Sequence, residues 1–307
     1  MLSRRAFLHS VFVGGVGSYL AAAVPIQLDV IQPSDFVNIP TPEYLHITHG
    51  KIEWRNVSPG LDFTRIQVFR QKEVVDVIAA VRVDPDKNSI RVFNSFEGPD
   101  NTVIRNIEEW QQYTGAVMLI NSSQYMSDPY LMPCALVICD GLQKGPKLNK
   151  NVRGMLVAEP KSAKLPKADL LDFQFDTFDH AKSAYTQGVQ HWPIILDRKG
   201  VIKVNSTDLQ ANRSVVAKDY DGNILFMTTE GGYFTLYNLG LFLKECGELR
   251  IHTAMNLDGG YEADMIVKNA KLSYVTYGQF ESNGSAMDVS IRGLKAKIPG
   301  VIGVFPR

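Results

Sequence analysis

The chain has 307 residues, with 32 Lys and Arg set against 32 Asp and Glu, and is 45% hydrophobic and 21% charged. That apolar fraction and balanced charge exclude a disordered chain, and the zero formal charge excludes a protein built to coat nucleic acid or anionic lipid. Three cysteines (Cys134, Cys139 and Cys246) are too few and too scattered for a disulfide framework, and no Cys-x-x-Cys is present for a zinc knuckle.

The chain opens with Ser3-Arg4-Arg5-Ala6-Phe7-Leu8, followed by an apolar run from Val11 that ends in Ala21-Ala22-Ala23. A positive start, a short apolar stretch and small residues at its end predict an export signal over residues 1–23, cleaved near Ala23. The paired arginines ahead of Phe-Leu resemble the twin-arginine signal, which exports folded proteins. The expected destination is the periplasm or the medium, with no stable membrane insertion after signal removal. An uncleaved anchor is the alternative, for which the stretch is barely long enough. Pro25, Pro33, Pro40 and Pro42 make residues 24–45 an extended linker, and residues 46–307 then form one domain.

Within that domain Phe63 to Arg70 alternates in polarity and Val74 to Val83 is an apolar run. The turn cluster Asp84-Pro85-Asp86-Lys87-Asn88 and the strand Ile90 to Phe93 predict a hairpin. Ile104, Ile107, Trp110 and Gln111 fall at helical spacing, with Thr102 as cap and Gly115 as stop. Ala116 to Ile120 is a buried strand that delivers Asn121 to its end. Leu136 to Ile138 is another strand, closed by Asp140-Gly141, and residues 159–167 are a surface connection. Two further hairpins are expected around 197–200 and around Asp221-Gly222. The segment Gly231-Gly232-Tyr233-Phe234 reads as a turn and helix entry. Thr235 to Cys246 follows as a helix with Leu236, Leu239, Phe242 and Leu243 on one face and Gly247 as its stop. Thr253 to Leu257 and Asp264 to Val267 are strands around Asp258-Gly259-Gly260. The fold class is α+β (mixed α/β): one strand-rich domain with a mixed sheet and a few flanking helices.

The segment Asn256-Leu257-Asp258-Gly259-Gly260 puts a carboxylate at a strand end beside glycines that let a ligand approach closely. A plain Asp-Gly hairpin turn is the structural alternative. In order along the chain this segment follows Asn121-Ser122-Ser123-Gln124-Tyr125, Gln190-His191-Trp192-Pro193 and Asn212-Arg213-Ser214, and Arg292 and Pro299 come after it. That order resembles the phosphodiester glycosidase family from about His46 to the C-terminus. Two departures stand out: Ser122 and Ser123 replace the glycines of the family's first loop, and Tyr261-Glu262 stand where the family has Gly-Ser. Side chains there obstruct the approach of bare N–H groups to a phosphate.

The resemblance implies hydrolysis of a sugar-1-phosphodiester, here in an envelope or exopolysaccharide glycan. That chemistry needs a cation for the phosphate, a carboxylate at an oxocarbenium-like centre and a positioned water. The catalytic candidates are Asp258 as base or electrostatic stabiliser, Arg213 as the guanidinium fork for phosphate, His191 as an acid near neutral pH, and Glu262 as a substitute carboxylate. Asn121, Gln190, Asn256, Gly259 and Gly260 are the candidate substrate-binding residues. No cofactor is expected, although Asp258 and neighbouring carbonyls suit a divalent cation. The departures leave a second reading open, a non-catalytic glycan-binding or envelope assembly protein with the same fold.

Overall fold

A computed structural model describes residues 47–96, 103–126, 131–179, 182, 184–282, 289–290 and 295–307. The export signal, the linker, Thr102 and Arg292 lie outside these residues. The described chain is strand-rich, with two α-helices, three large sheets and a two-stranded one, and every strand pairing is antiparallel. The mixed sheet expected from sequence is therefore corrected, and the α-content is smaller than the α+β label suggests.

The first sheet runs in the order Ile47–His49, Leu61–Arg70, Glu73–Val83, Ile224–Thr229, Ser214–Asp219, Ile251–Asn256, Ile194–Leu196, and Arg55–Ser58 joins at Leu61–Arg70. Its central strands Ser214–Asp219, Ile224–Thr229 and Ile251–Asn256 are buried at nearly every position, so both faces of the sheet are covered there. Ile78, Ala80, Val215, Leu225 and Met227 pack against Leu239, Phe242 and Leu243 of the helix Leu236–Glu245. On the opposite face, Val81, Val216, Phe226 and Met255 meet residues of the other two sheets in one central core. The second sheet contains Ala168–Asp172, Gly154–Pro160, Tyr185–His191, Val137–Cys139 and Leu142–Lys144. The third contains Ser273–Thr276, Met265–Lys268, Met118–Asn121, Gly300–Pro306 and Asn88–Asn94. The other helix, Ile107–Thr114, buries Ile107 and Trp110 against the outer face of that third sheet. Each fully buried Leu, Ile or Phe in these layers contributes roughly 1.5–3 kcal/mol.

Local chemistry accounts for where the helices begin and end. Asn106, rather than Thr102, caps the helix Ile107–Thr114: its side chain accepts from the N–H groups of Glu108 and Glu109, and Glu109 accepts from the Asn106 N–H in return. Gly115, at φ 68, ends it as expected. Thr235 caps the second helix by accepting from Asn238 N–H at 3.1 Å, and its C-cap is Cys246, one residue short of the predicted Gly247 stop.

The hairpin predicted at residues 84–88 does not form. Glu73–Val83 pairs with Leu61–Arg70 and Ile224–Thr229, whereas Asn88–Asn94 pairs with Gly300–Pro306 in another sheet. Asp84 N–H donates to Gly60 O at 2.8 Å, and the Asn88 carboxamide donates to Pro59 O at 3.1 Å. These ties pin the turn to the Pro59-Gly60 corner and send the chain across the core. Around residues 197–200 the expected hairpin shrinks to a turn closed by Asp197 and one bridge between Leu196 and Ile202. The hairpin around Asp221-Gly222 forms as expected, with Gly222 at φ 88.

Candidate active site

Strand ends from all three large sheets converge on the segment 256–262. Met118–Asn121, Tyr185–His191 and Ile251–Asn256 arrive by their C-terminal ends, whereas Ser214–Asp219 and Gly300–Pro306 leave from the same place. The joints are backbone hydrogen bonds: Asp258 N–H to Ser122 O, Leu257 N–H to Ser214 O, Gly260 N–H to Asn212 O, Ser122 N–H to Gly300 O and Asn256 N–H to Pro193 O. Asp258 is thus no hairpin turn, because the strands on either side of its loop belong to different sheets.

Asn121 is buried, and its carboxamide donates to Asp258 O at 2.7 Å. Asp258 itself accepts from the adjacent Gly259 N–H at 3.0 Å. Gly260 takes φ 72, and a Cβ there would strike the Glu281 carboxylate, so this position requires glycine. Arg213 is 3% exposed and one residue before the strand Ser214–Asp219. Val215 pairs with Asn256, and that register, extended along the strands, puts Arg213 beside Asp258. The Arg213 guanidinium donates to Phe234 O at 3.1 Å and Leu209 O at 2.5 Å.

His191 is fully buried and stacks on Trp192, with ring centroids 5.2 Å apart. Burial drives its pKa down to about 4, against the opposing effect of the Asn256 and Trp192 backbone. The ring is neutral near pH 7, so it does not hold the proton that an acid role at that pH requires. Glu262 accepts from the Tyr125 hydroxyl at 3.2 Å at the edge of the cluster. Gln190 points away: its carboxamide accepts from Leu136 and Asn149 N–H and donates to Asn149 and Val152 O, all inside the second sheet and its loops. Pro299 is buried, and its carbonyl accepts from Ser95 N–H at 2.6 Å.

Three groups play a larger part than the sequence suggested. Asp264 is fully buried; one carboxylate oxygen accepts from Gly278 N–H at 3.0 Å, and its pKa is pushed up to about 8, chiefly by burial and then by the charges of Glu262 and Glu108. It therefore carries a proton near pH 7, directly behind the Gly260–Glu262 turn. Cys134 is pushed up to about 11, first by burial and then by the charge of Asp258. Asn212 accepts from Gln279 and Phe280 N–H and donates to Thr229 O, which fixes the backbone next to Arg213. Asn212 stands in one of the segments singled out from the sequence and Asp264 is a carboxylate close to Asp258, but their roles and that of Cys134 leave no local sequence signal, because the burial is created by another sheet.

Several buried polar atoms around this loop have no protein hydrogen-bond partner among the described residues: Asn121 Oδ1, Ser122 Oγ, Gln124 Oε1 and Asn256 Oδ1. Buried polar groups are almost always paired, so these atoms are places where ordered water or a polar ligand can supply the partners. Among the described residues no cluster of three or more His, Cys, Asp or Glu has the arrangement of a metal site. Nor is any described helix long and apolar enough to cross a membrane.

The family model for phosphodiester glycosidases matches residues 114–305, which hold every site residue named above. The chain belongs to the phosphodiester glycosidase family. Two solved structures share its fold. The catalytic domain of zebrafish N-acetylglucosamine-1-phosphodiester α-N-acetylglucosaminidase, auto-inhibited by its pro-peptide, is 13% identical, with a TM-score of 0.55 over 85% of this chain and 89% of that one. A hypothetical protein from Synechocystis is 14% identical, with a TM-score of 0.57 over 84% of this chain, which spans only 64% of the Synechocystis chain. At these identities the likeness establishes the fold alone. Among curated proteins, no sequence matches this chain.

Proposed function

We propose that this phosphodiester glycosidase family member hydrolyses the bond between a sugar's anomeric carbon and a phosphodiester, in an envelope or exopolysaccharide glycan. The observation that carries the reading is the meeting of Asn121, Arg213 and Asp258 at adjoining strand ends, ringed by unpaired buried polar atoms. In this reading Arg213 holds phosphate oxygens, and the carbonyls that accept from two of its nitrogens fix the direction of the fork. Asp258 supplies negative charge to the oxocarbenium-like centre or takes a proton from the attacking water. The carboxamides of Asn121 and Asn256 orient hydroxyls, and neutral His191 contributes hydrogen bonds. Glu262 lies at the rim, where Tyr125 restrains it, and Asp264 behind it carries a proton near pH 7.

The destination proposed is the periplasm or the medium by the twin-arginine route, supported by Arg4-Arg5 with Phe7-Leu8. Replacing both arginines by lysine strands the precursor in the cytoplasm under this reading, and normal export of that variant contradicts it.

The functional test is incubation with a methyl diester of N-acetylglucosamine-1-phosphate and measurement of released sugar. Asp258→Asn keeps the shape and removes the charge, so turnover falls on the order of 10²–10⁴-fold with the melting temperature held. Binding without release by the natural sequence favours the glycan-binding reading, to which the side chains at Ser122, Ser123 and Tyr261 lend support.

A further inference from the structure

We propose that Asp76 is a positioning residue for Arg213, acting through the turn Gly231-Gly232-Tyr233-Phe234. This inference rests on the reading of Arg213 as the phosphate-binding group, and it places part of the site's support outside the family match, which begins at residue 114.

Asp76 belongs to the strand Glu73–Val83 and is 4% exposed. One carboxylate oxygen accepts from Gly231 N–H at 2.7 Å and from Val77 N–H at 2.7 Å, and the other accepts from Tyr233 N–H at 3.2 Å. The two oxygens therefore close the turn from below. Its two glycines follow from that packing: a Cβ on Gly231 would stand 3.0 Å from Asp76 Oδ1, and one on Gly232 would enter the ring of Phe280. Phe280 N–H in turn donates to Asn212 Oδ1, so the turn is clamped between Asp76 and the residue that precedes Arg213.

What the turn presents upward is acceptors for Arg213. Phe234 O accepts from Arg213 Nε at 3.1 Å. Gly231 O accepts from the Thr229 hydroxyl at 2.9 Å, and the same hydroxyl oxygen accepts from Arg213 N–H at 2.9 Å. Both the main chain and the guanidinium of Arg213 thus take part of their position from the turn that Asp76 closes, while Leu209 O, outside that turn, accepts from the guanidinium at 2.5 Å. Burying this carboxylate is unfavourable, and its pKa is pushed up to about 6 by that burial. An asparagine of the same shape offers one acceptor oxygen in place of two and turns an NH2 toward a backbone N–H, so it cannot hold both Gly231 and Tyr233.

The test is proton exchange of the Arg213 Nε–H in the ¹⁵N-labelled protein, its signal assigned with Arg213→Lys. Trp110 Nε1–H, which donates to Ile298 O at 2.9 Å in a separate core, reports global opening in the same spectrum. Asp76→Asn should speed exchange at Arg213 roughly tenfold or more, the loss expected when a buried hydrogen bond to a charged group goes, and leave Trp110 unchanged. Gly231→Ala, which crowds the carboxylate without removing it, should act in the same direction and decides alone if Asp76→Asn does not fold. Unchanged exchange at Arg213, or equal acceleration of Arg213 and Trp110, overturns the proposal. With the methyl diester of N-acetylglucosamine-1-phosphate, Asp76→Asn should raise KM severalfold at nearly constant kcat, and Asp76→Glu should recover part of it. An unchanged KM counts against the proposal. A natural sequence that leaves the diester intact counts instead against the proposed function, and the exchange result then stands on its own.

Discussion

Gln190 and Asn121 are both buried carboxamides near the inner ends of strands, yet they sit in opposite kinds of surroundings. Gln190 uses all of its hydrogen-bonding capacity on the backbone of Leu136, Asn149 and Val152, and so knits the second sheet to its loops. Asn121 donates to Asp258 O and leaves its oxygen without a protein partner, as Asn256 does nearby. The difference teaches how to tell architecture from site in this molecule. A satisfied amide holds the sheets together, whereas under the proposed function a buried amide with an unspent acceptor faces what the protein binds.

That contrast can be broken first through stability. Gln190→Leu leaves four backbone partners stranded and should cost roughly 2–4 kcal/mol, read as a lower denaturant midpoint at an unchanged m-value. A loss below about 0.5 kcal/mol would mean that the network is not structural.

Acid is the next lever. Buried His191 titrates near pH 4 in the folded chain and near 6.5 unfolded, so the unfolded state binds the extra proton between those values. Stability from this group is complete above pH 6.5 and is lost as pH falls to 4, by roughly 3 kcal/mol. Replacing His191 by Gln should flatten that part of the stability–pH curve. Asp264 works in the opposite sense, because its folded pKa, near 8, lies above the unfolded value. Its contribution is complete at low pH and is lost as pH rises toward 8, by up to about 1.4 kcal/mol per unit. Asp264→Asn mimics the neutral acid and should remove that decline. A decline of equal slope in the variant would place the proton elsewhere.

The smallest stability effect is expected at the site itself. Asn256 makes one long hydrogen bond, to Trp192 O at 3.4 Å, and its Oδ1 is unpaired. Asn256→Ala should therefore change stability by less than about 1 kcal/mol while weakening ligand binding. A large loss of stability with binding intact would move Asn256 into the architectural group.

Much of this was legible in the sequence, and the misses share one cause. Strands with strong period or apolar runs, such as those ending at Val83 and beginning at Ile251, and both helices, were readable because their signals are local. The strand Tyr185–His191 was not, because Gln187, Gln190 and His191 interrupt its apolar pattern and it is buried only through partners from other segments. The turn at residues 84–88 carries hairpin chemistry, yet a carboxamide contact to Pro59, distant in sequence, redirects it between sheets. At the candidate site, Asp258, Asn121 and Arg213 are legible in the sequence only as polar residues at or beside strand ends. The roles of Asp76 and Asp264 were hidden, since what distinguishes them is burial, and burial is a property of the assembled sheets. Gln190 misled for the same reason, because its partners come from a loop some forty residues away.

The central claim is that the unspent acceptors around Asp258 face a ligand, and side-chain amide spectra test it most directly. Titrating the ¹⁵N-labelled protein with the methyl diester of N-acetylglucosamine-1-phosphate should shift the NH2 signals of Asn121 and Asn256 in a saturable way and leave those of Gln187 and Gln190 in place. Saturation without movement at Asn121 and Asn256, or equal movement at Gln190, would contradict the account.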